Sequence, residues 1–291
     1  MVSMNKNNIT LGPKALDVVS RLTYEGIRII TKEQFDNKFA KDLVVRKVLE
    51  QLKKKKIISS ITRGVYLFSP IDSLPNGRAI NEYYIPNYIF PKKNYYIGFT
   101  SQYNSYGFTE QVPQWVFVIN TSINGSRKIL GITFKFVRVS PDRMYGIEKR
   151  DILGTEVLFS DLERTLVDLF YYPGPVGNLL SIYEVLNEQI KDDKINLDKF
   201  IDYAARFPNV SVRKKIGYGL EMLKVPDERL KPLLDSVAAT AYNVLFESKS
   251  RAGKYNSKWK AIINMPPLAR DPYNESEEEF EERKRRLTDI R

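Results

Sequence analysis

The chain has 291 residues, of which 43% are hydrophobic, 28% charged and 12% aromatic. That is too apolar for a disordered chain and enough to bury the cores of two domains. Neither His nor Cys occurs, which excludes catalytic triads, thiol nucleophiles, disulfide frameworks and the usual zinc sites.

Any chemistry would have to come from carboxylates, Lys, Tyr or a hard metal ion, and no cofactor is expected. No apolar run approaches the ~20 residues of a membrane helix. Met1, Val2, Ser3, Met4, Asn5 and Lys6 do not form the apolar stretch of a signal peptide. The expectation is a cytoplasmic protein without a membrane partner.

The 46 basic and 35 acidic residues leave a net charge of +11, and its distribution is uneven. Residues 1–75 hold 14 basic against 7 acidic side chains, whereas residues 76–291 hold 32 against 28. Lys38, Lys41, Arg46, Lys47, Lys53, Lys54, Lys55, Lys56 and Arg63 face only Asp42 and Glu50. A basic run by itself is usually a solvated face, so what carries these charges decides their meaning.

Leu11, Ala15, Val18, Val19 and Leu22 recur at helical spacing between Pro13 and Gly26, which predicts a first helix. A β-branched stretch follows at 27–30. Thr31 is placed to cap a second helix over 32–39, and Asp42 opens a third. In that third helix Val45, Val48, Leu49 and Leu52 form an apolar stripe opposite Arg46, Lys47, Glu50, Lys53 and Lys54. Two strand-like runs, 57–61 and 65–69, flank a turn of Thr62, Arg63 and Gly64.

Three short helices followed by a basic-tipped hairpin predict a winged helix-turn-helix, whose third helix enters the major groove of duplex DNA. In that arrangement Arg46 and Lys47 reach base edges. Lys41, Lys53 and Lys54 hold phosphates, and Arg63 lies near the neighbouring groove.

Beyond a linker at Pro75, Asn76 and Gly77 the chain becomes rich in Tyr and Phe, which predicts a second, larger mixed α/β domain over 76–272. The class is α+β, with an antiparallel sheet and a helical C-terminal half. Thr100 is placed to cap a short helix ended by Gly107. A buried strand over 115–119 is joined to another around Ile132, Phe134 and Phe136 by a hairpin at Asn124 and Gly125.

After a strand at 157–159, Ser160 and Glu163 have the spacing of a capping box. Arg164 and Asp168 then stand four apart on the helix it starts. Pro173, Gly174 and Pro175 end that helix. Helical patterns recur at 179–189, 197–207, 212–223 and 230–246, with a strand-like run at 259–263. Residues 273–291, acidic first and basic last, predict a solvated charged helix.

Arg63-Gly64-Val65-Tyr66, Tyr95-Tyr96-Ile97-Gly98, Gly107-Phe108-Thr109-Glu110-Gln111-Val112-Pro113 and Ser160-x-x-Glu163-Arg164-Thr165-Leu166-x-Asp168 occur here in one order. In that order and spacing the sequence resembles the AbiEi antitoxins, transcriptional regulators of type IV toxin–antitoxin systems in phage defence. It departs from them at Tyr106, where members often have His.

The resemblance implies a non-enzymatic, two-function protein. Its N-terminal domain would repress its own operon at inverted repeats in promoter DNA. Its C-terminal domain would counter an AbiEii-like nucleotidyltransferase toxin, without necessarily contacting it. Glu163, Arg164 and Asp168 are motif residues whose role the resemblance leaves unassigned; cap and ion pair account for them structurally.

The competing expectations are a winged-helix regulator without a toxin, a winged helix used for protein contacts, and a metal-dependent nuclease. The nuclease would use Asp151, Glu156, Glu163 or Asp168. The chain lacks the toxin's own signature, because Gly125-Ser126 is followed by Arg127-Lys128 rather than by carboxylates.

Overall fold

The computed structural model describes residues 10–39, 43–69, 81–152, 155–246, 251–264 and Glu278. The expected charged helix over 273–291 lies outside the described residues except for Glu278. The chain is mixed α+β and divides into two compact units. The first comprises residues 1–96, 114–138 and 149–158, and the second residues 97–113, 139–148 and 159–291. No helix among the described residues is long and apolar enough to cross a membrane.

The first unit opens with α1 (Pro13–Tyr24), β1 (Ile29–Thr31), α2 (Lys32–Phe39), α3 (Leu43–Lys54), β2 (Ile58–Thr62) and β3 (Val65–Phe68). Pro13 suits the first helical turn, where its missing N–H would be unbonded anyway. Thr31 and Gln34 cap α2 reciprocally. The Thr31 hydroxyl accepts from the Gln34 N–H at 3.1 Å, and the Gln34 side chain accepts from the Thr31 N–H at 2.9 Å.

β3 lies between β1 and β2, antiparallel to both. Ala15, Val18, Val19 and Leu22 of α1 join Val45, Val48, Leu49 and Leu52 of α3 in one core with Phe35, Tyr66 and Phe68. The expected elements of this segment are all present.

Next come α4 (Ile85–Ile89), β4 (Tyr95–Ile97), α5 (Thr100–Tyr103), β5 (Trp115–Asn120), β6 (Gly125–Ile129), β7 (Ile132–Arg138), β8 (Ile147–Ile152) and β9 (Thr155–Ser160). The sheet runs β6-β7-β5-β4-β9-β8. It is mixed, which corrects the antiparallel expectation: β5 and β7 pair in parallel, as do β4 and β9, while β6 and β7 are antiparallel.

Asn124-Gly125 is not a hairpin tip. The fully buried Asn120 holds the connection after β5, accepting from the N–H groups of Ser122 at 2.9 Å and Ile123 at 2.7 Å. The chain reverses instead at Leu130-Gly131, both at positive φ, as the twist of a two-residue hairpin requires.

The second unit is helical: α6 (Leu162–Tyr171), α7 (Leu179–Lys191), α8 (Leu197–Ala205), α9 (Val210–Met222) and α10 (Asp227–Val237). A small sheet of β10 (Asn243–Val244), β11 (Lys254–Asn256) and β12 (Ala261–Ile263) completes it. Leu166, Leu169, Phe170, Tyr183, Leu186, Phe200, Ile216, Leu220 and Trp259 centre its core.

The helical pattern expected to run to Phe246 ends at Val237, because Asn243 and Val244 pair in parallel with Ala261 and Ile262. The buried Lys214 of α9 fastens this sheet. Its ammonium donates to the carbonyls of Ala241 and Lys260 and to the Asn243 side chain, so all three N–H groups are answered.

Gly217 marks where α9 and the Trp259 ring come closest. A Cβ built there would lie 2.1 Å from Trp259 Cζ3, and the indole N–H is tied to Glu221 at 2.7 Å. Gly217→Ala is expected to destabilise the fold by about 1–3 kcal/mol through overpacking, read as a lower urea midpoint. An unchanged midpoint would show that the ring gives way freely.

Candidate functional site

In α3 the buried stripe dictates what faces outward. With Val45, Val48, Leu49 and Leu52 turned inward, Arg46, Lys47 and Lys54 are exposed and have no ion-pair or hydrogen-bond partner among the described residues. Lys53 is half-buried, 2.8 Å from Glu50 and 4.8 Å from the Tyr66 ring centroid. Such a partly exposed pair is weak enough for a phosphate to displace.

Arg63 is exposed at the β2–β3 turn, beside Gly64 at φ +77°, and the Gly64 carbonyl accepts from the Lys32 N–H. Lys41, expected to hold a phosphate, lies outside the described residues. Lys53 and Lys54 occupy the last turn of α3, where the helix dipole favours cations. Arg46 and Lys47 lie outside that turn and gain nothing from it.

The motif residues of the second unit form a different kind of site. Asp161, not Ser160, is the N-cap of α6; its carboxylate accepts from the Arg164 N–H at 2.8 Å. Glu163 therefore does not close a capping box. One of its oxygens accepts from the Asn196 N–H at the start of α8 (2.9 Å), and the other lies 2.9 Å from Lys199 Nζ. Lys199 also lies 3.1 Å from Asp161, which accepts the Tyr203 hydroxyl at 3.1 Å.

Burial pushes the Glu163 carboxyl up, but Lys199 and the Asn196 N–H outweigh it and hold it below the ordinary carboxylate range. Desolvation pulls Lys199 down, but Glu163 and Asp161 together raise it above its ordinary value.

Arg164 and Asp168 pair as expected, and both are fully buried. Arg164 Nε donates to Asp168 Oδ1 at 3.1 Å, and Nη1 donates to the Arg143 carbonyl at 3.1 Å. The Tyr145 ring has the Arg164 guanidinium 4.3 Å and the Arg206 guanidinium 4.2 Å from its centroid. Burial pushes Asp168 up, against the pull of Arg164 and Arg143.

Gly146, at φ +65°, lets the chain pass close beside Arg164; a Cβ there would meet Arg164 Cβ at 2.5 Å. Tyr106 donates to the Ser160 carbonyl at 3.0 Å and reaches Glu148 at 3.3 Å, so its hydroxyl is used in packing this cluster.

Chemically, the cluster holds α6 against α8. Lys199 stands between Asp161 and Glu163, 3.1 and 2.9 Å from them. No three carboxylates converge among the described residues, and Glu156 of β9 is paired with Lys149 at 3.1 Å.

Sequence reasoning missed Lys199, Asn196, Tyr145 and Gly146, because their contacts cross from one element to another. It also missed a second basic surface on β5–β7. Residues 111–141 contain Arg127, Lys128, Lys135 and Arg138 without one acid, and Lys135 Nζ lies 3.2 Å from the centroid of the partly exposed Trp115 ring. Counting acids along that stretch would have found it.

Comparison with known proteins gives a fold and no family. No family model matches the chain, and no curated protein matches it. Among solved structures it is similar to the crystal structure of the RV2827C protein from Mycobacterium tuberculosis. That match has 14% identity and a TM-score of 0.60, and covers 87% of this chain and 92% of that one.

Two outcomes are expected. Asp168→Ala leaves the Arg164 charge buried and unpaired, and should cost about 3–5 kcal/mol of stability in chemical denaturation. The Glu163 carboxyl is depressed on folding, so its stabilisation is complete above the unfolded carboxylate pKa and is lost as pH falls through the folded one. Denaturation midpoints across the acid range should therefore decline less steeply in Glu163→Gln than in the parent.

Proposed function

We propose that residues 1–75 form a winged helix-turn-helix that binds duplex DNA through α3. The observation that carries this reading is the outward face of α3, where Arg46, Lys47 and Lys54 stand exposed without partners among the described residues. The order α1-β1-α2-α3-β2-β3, with β3 between β1 and β2 and Arg63 at the hairpin turn, supports it. Arg46 and Lys47 contact base edges; Lys41, Lys53 and Lys54 neutralise phosphates; Arg63 approaches the adjoining groove.

We further propose, on the resemblance to AbiEi antitoxins, that the chain represses its own operon and counters a nucleotidyltransferase-like toxin through its C-terminal part. In that scheme Glu163, Arg164 and Asp168 secure the packing of α6 rather than carry out a reaction.

A salt titration of the full chain on the region upstream of its own coding sequence tests the DNA reading. Log affinity should fall linearly with log salt. Lys54→Ala should lower affinity for all duplexes alike and reduce the slope by about 1. Arg46→Ala should relax preference at one base position, with a loss of about 1–3 kcal/mol there. Absence of salt-dependent binding to upstream fragments would end the proposal.

A further inference from the structure

Leu43 and Val44, the first two residues of α3, are 72% and 50% exposed. Helical spacing puts Leu43 on one face with Lys47 and Lys54, at i, i+4 and i+11, opposite the buried stripe. Val44 stands beside them, three residues before Lys47.

A first turn that only meets water gains from Asp, Glu, Ser or Thr, which answer its free N–H groups and the positive end of the dipole. Leu43 and Val44 answer none of these. An exposed apolar pair at the head of a helix whose outward face carries Arg46, Lys47, Lys53 and Lys54 against Glu50 alone calls for an occupant that is polyanionic and yet offers apolar contacts at the helix N-terminus.

The major groove of duplex DNA meets both demands. Phosphates flank it, and the C5-methyl group of thymine is its one apolar marker. We infer that Leu43 and Val44 read thymine methyl groups, so that the preferred duplex carries thymine where the first turn of α3 enters the groove and not only the bases met by Arg46 and Lys47. This rests on the duplex-binding reading above and adds a specificity determinant to it.

The test compares the full chain on a synthetic duplex of the upstream region and on the same duplex with every thymine replaced by deoxyuridine. That change removes the methyl groups and keeps pairing and phosphate charge. By fluorescence anisotropy, affinity is expected to fall on the order of tenfold on the uracil duplex. The Leu43→Ala/Val44→Ala variant, both sites being exposed, should keep its circular dichroism and the parent's salt slope while binding the two duplexes equally.

Equal, salt-dependent binding of both duplexes by the parent chain would overturn the inference and leave the DNA reading standing. A double variant that still discriminates would overturn it too, since methyl loss would then act through duplex shape. No salt-dependent binding to either duplex would overturn both.

Discussion

The burial of four aliphatic side chains, Val45, Val48, Leu49 and Leu52, decides the N-terminal architecture. Each is at most 6% exposed, and burying a side chain of this kind stabilises by roughly 1.5–3 kcal/mol. Against that, unfavourable placement of a surface cation is worth no more than about 1 kcal/mol. The stripe therefore fixes the rotation of α3 about its axis, and the basic residues go wherever that rotation puts them. The outward face costs some self-repulsion, which a bound polyanion would relieve.

The second unit follows a different logic. Taking Arg164 out of water is expensive, and the fold compensates with Asp168, the Arg143 carbonyl and the Tyr145 ring at once. An ion pair of this sort adds little net stability over apolar packing, but removing one partner is severe. That asymmetry explains why a charged pair, once buried in a helix that buries eight of its ten residues, is kept intact. Beside them Glu163 ties α6 to Asn196 and Lys199, and Gly146 lets the neighbouring segment pass close to Arg164.

The legible parts of the sequence were those governed by local rules. Thr31, Pro13 and the period of the α3 stripe announce the first three helices, because capping and amphipathicity act within one or two turns. Arg164 and Asp168 were readable as a pair for the same reason. The sheet was not: Asn124-Gly125 has hairpin composition, yet the buried Asn120 four residues before Asn124 takes over the loop, and parallel pairing of β5 with β7 leaves no local mark. Likewise Ser160 and Glu163 have capping-box spacing, but Glu163 finds better partners in Asn196 and Lys199, more than thirty residues away. A pattern of four residues has no access to such competition.

The two charged regions differ in a way that bears on function more than their composition does. In the second unit carboxylates and cations are closely matched: Lys199 faces two acids, Lys258 faces Glu221 and Asp227, and Arg229 faces Asp198. Among the described residues, only Lys53 of the α3 cations has an acid beside it. Matched charges hold elements of one chain together and leave little field outside. Unmatched charges on a rigid helix project their field into solvent, where it falls off over a Debye length of roughly 8 Å in physiological salt. A field of one sign attracts any polyanion without choosing among sequences. Choice has to come from groups that touch base edges, which in a helix-turn-helix are chiefly residues toward the N-terminus of the recognition helix. The part of α3 that the dipole does not explain is therefore the part where selectivity would have to reside.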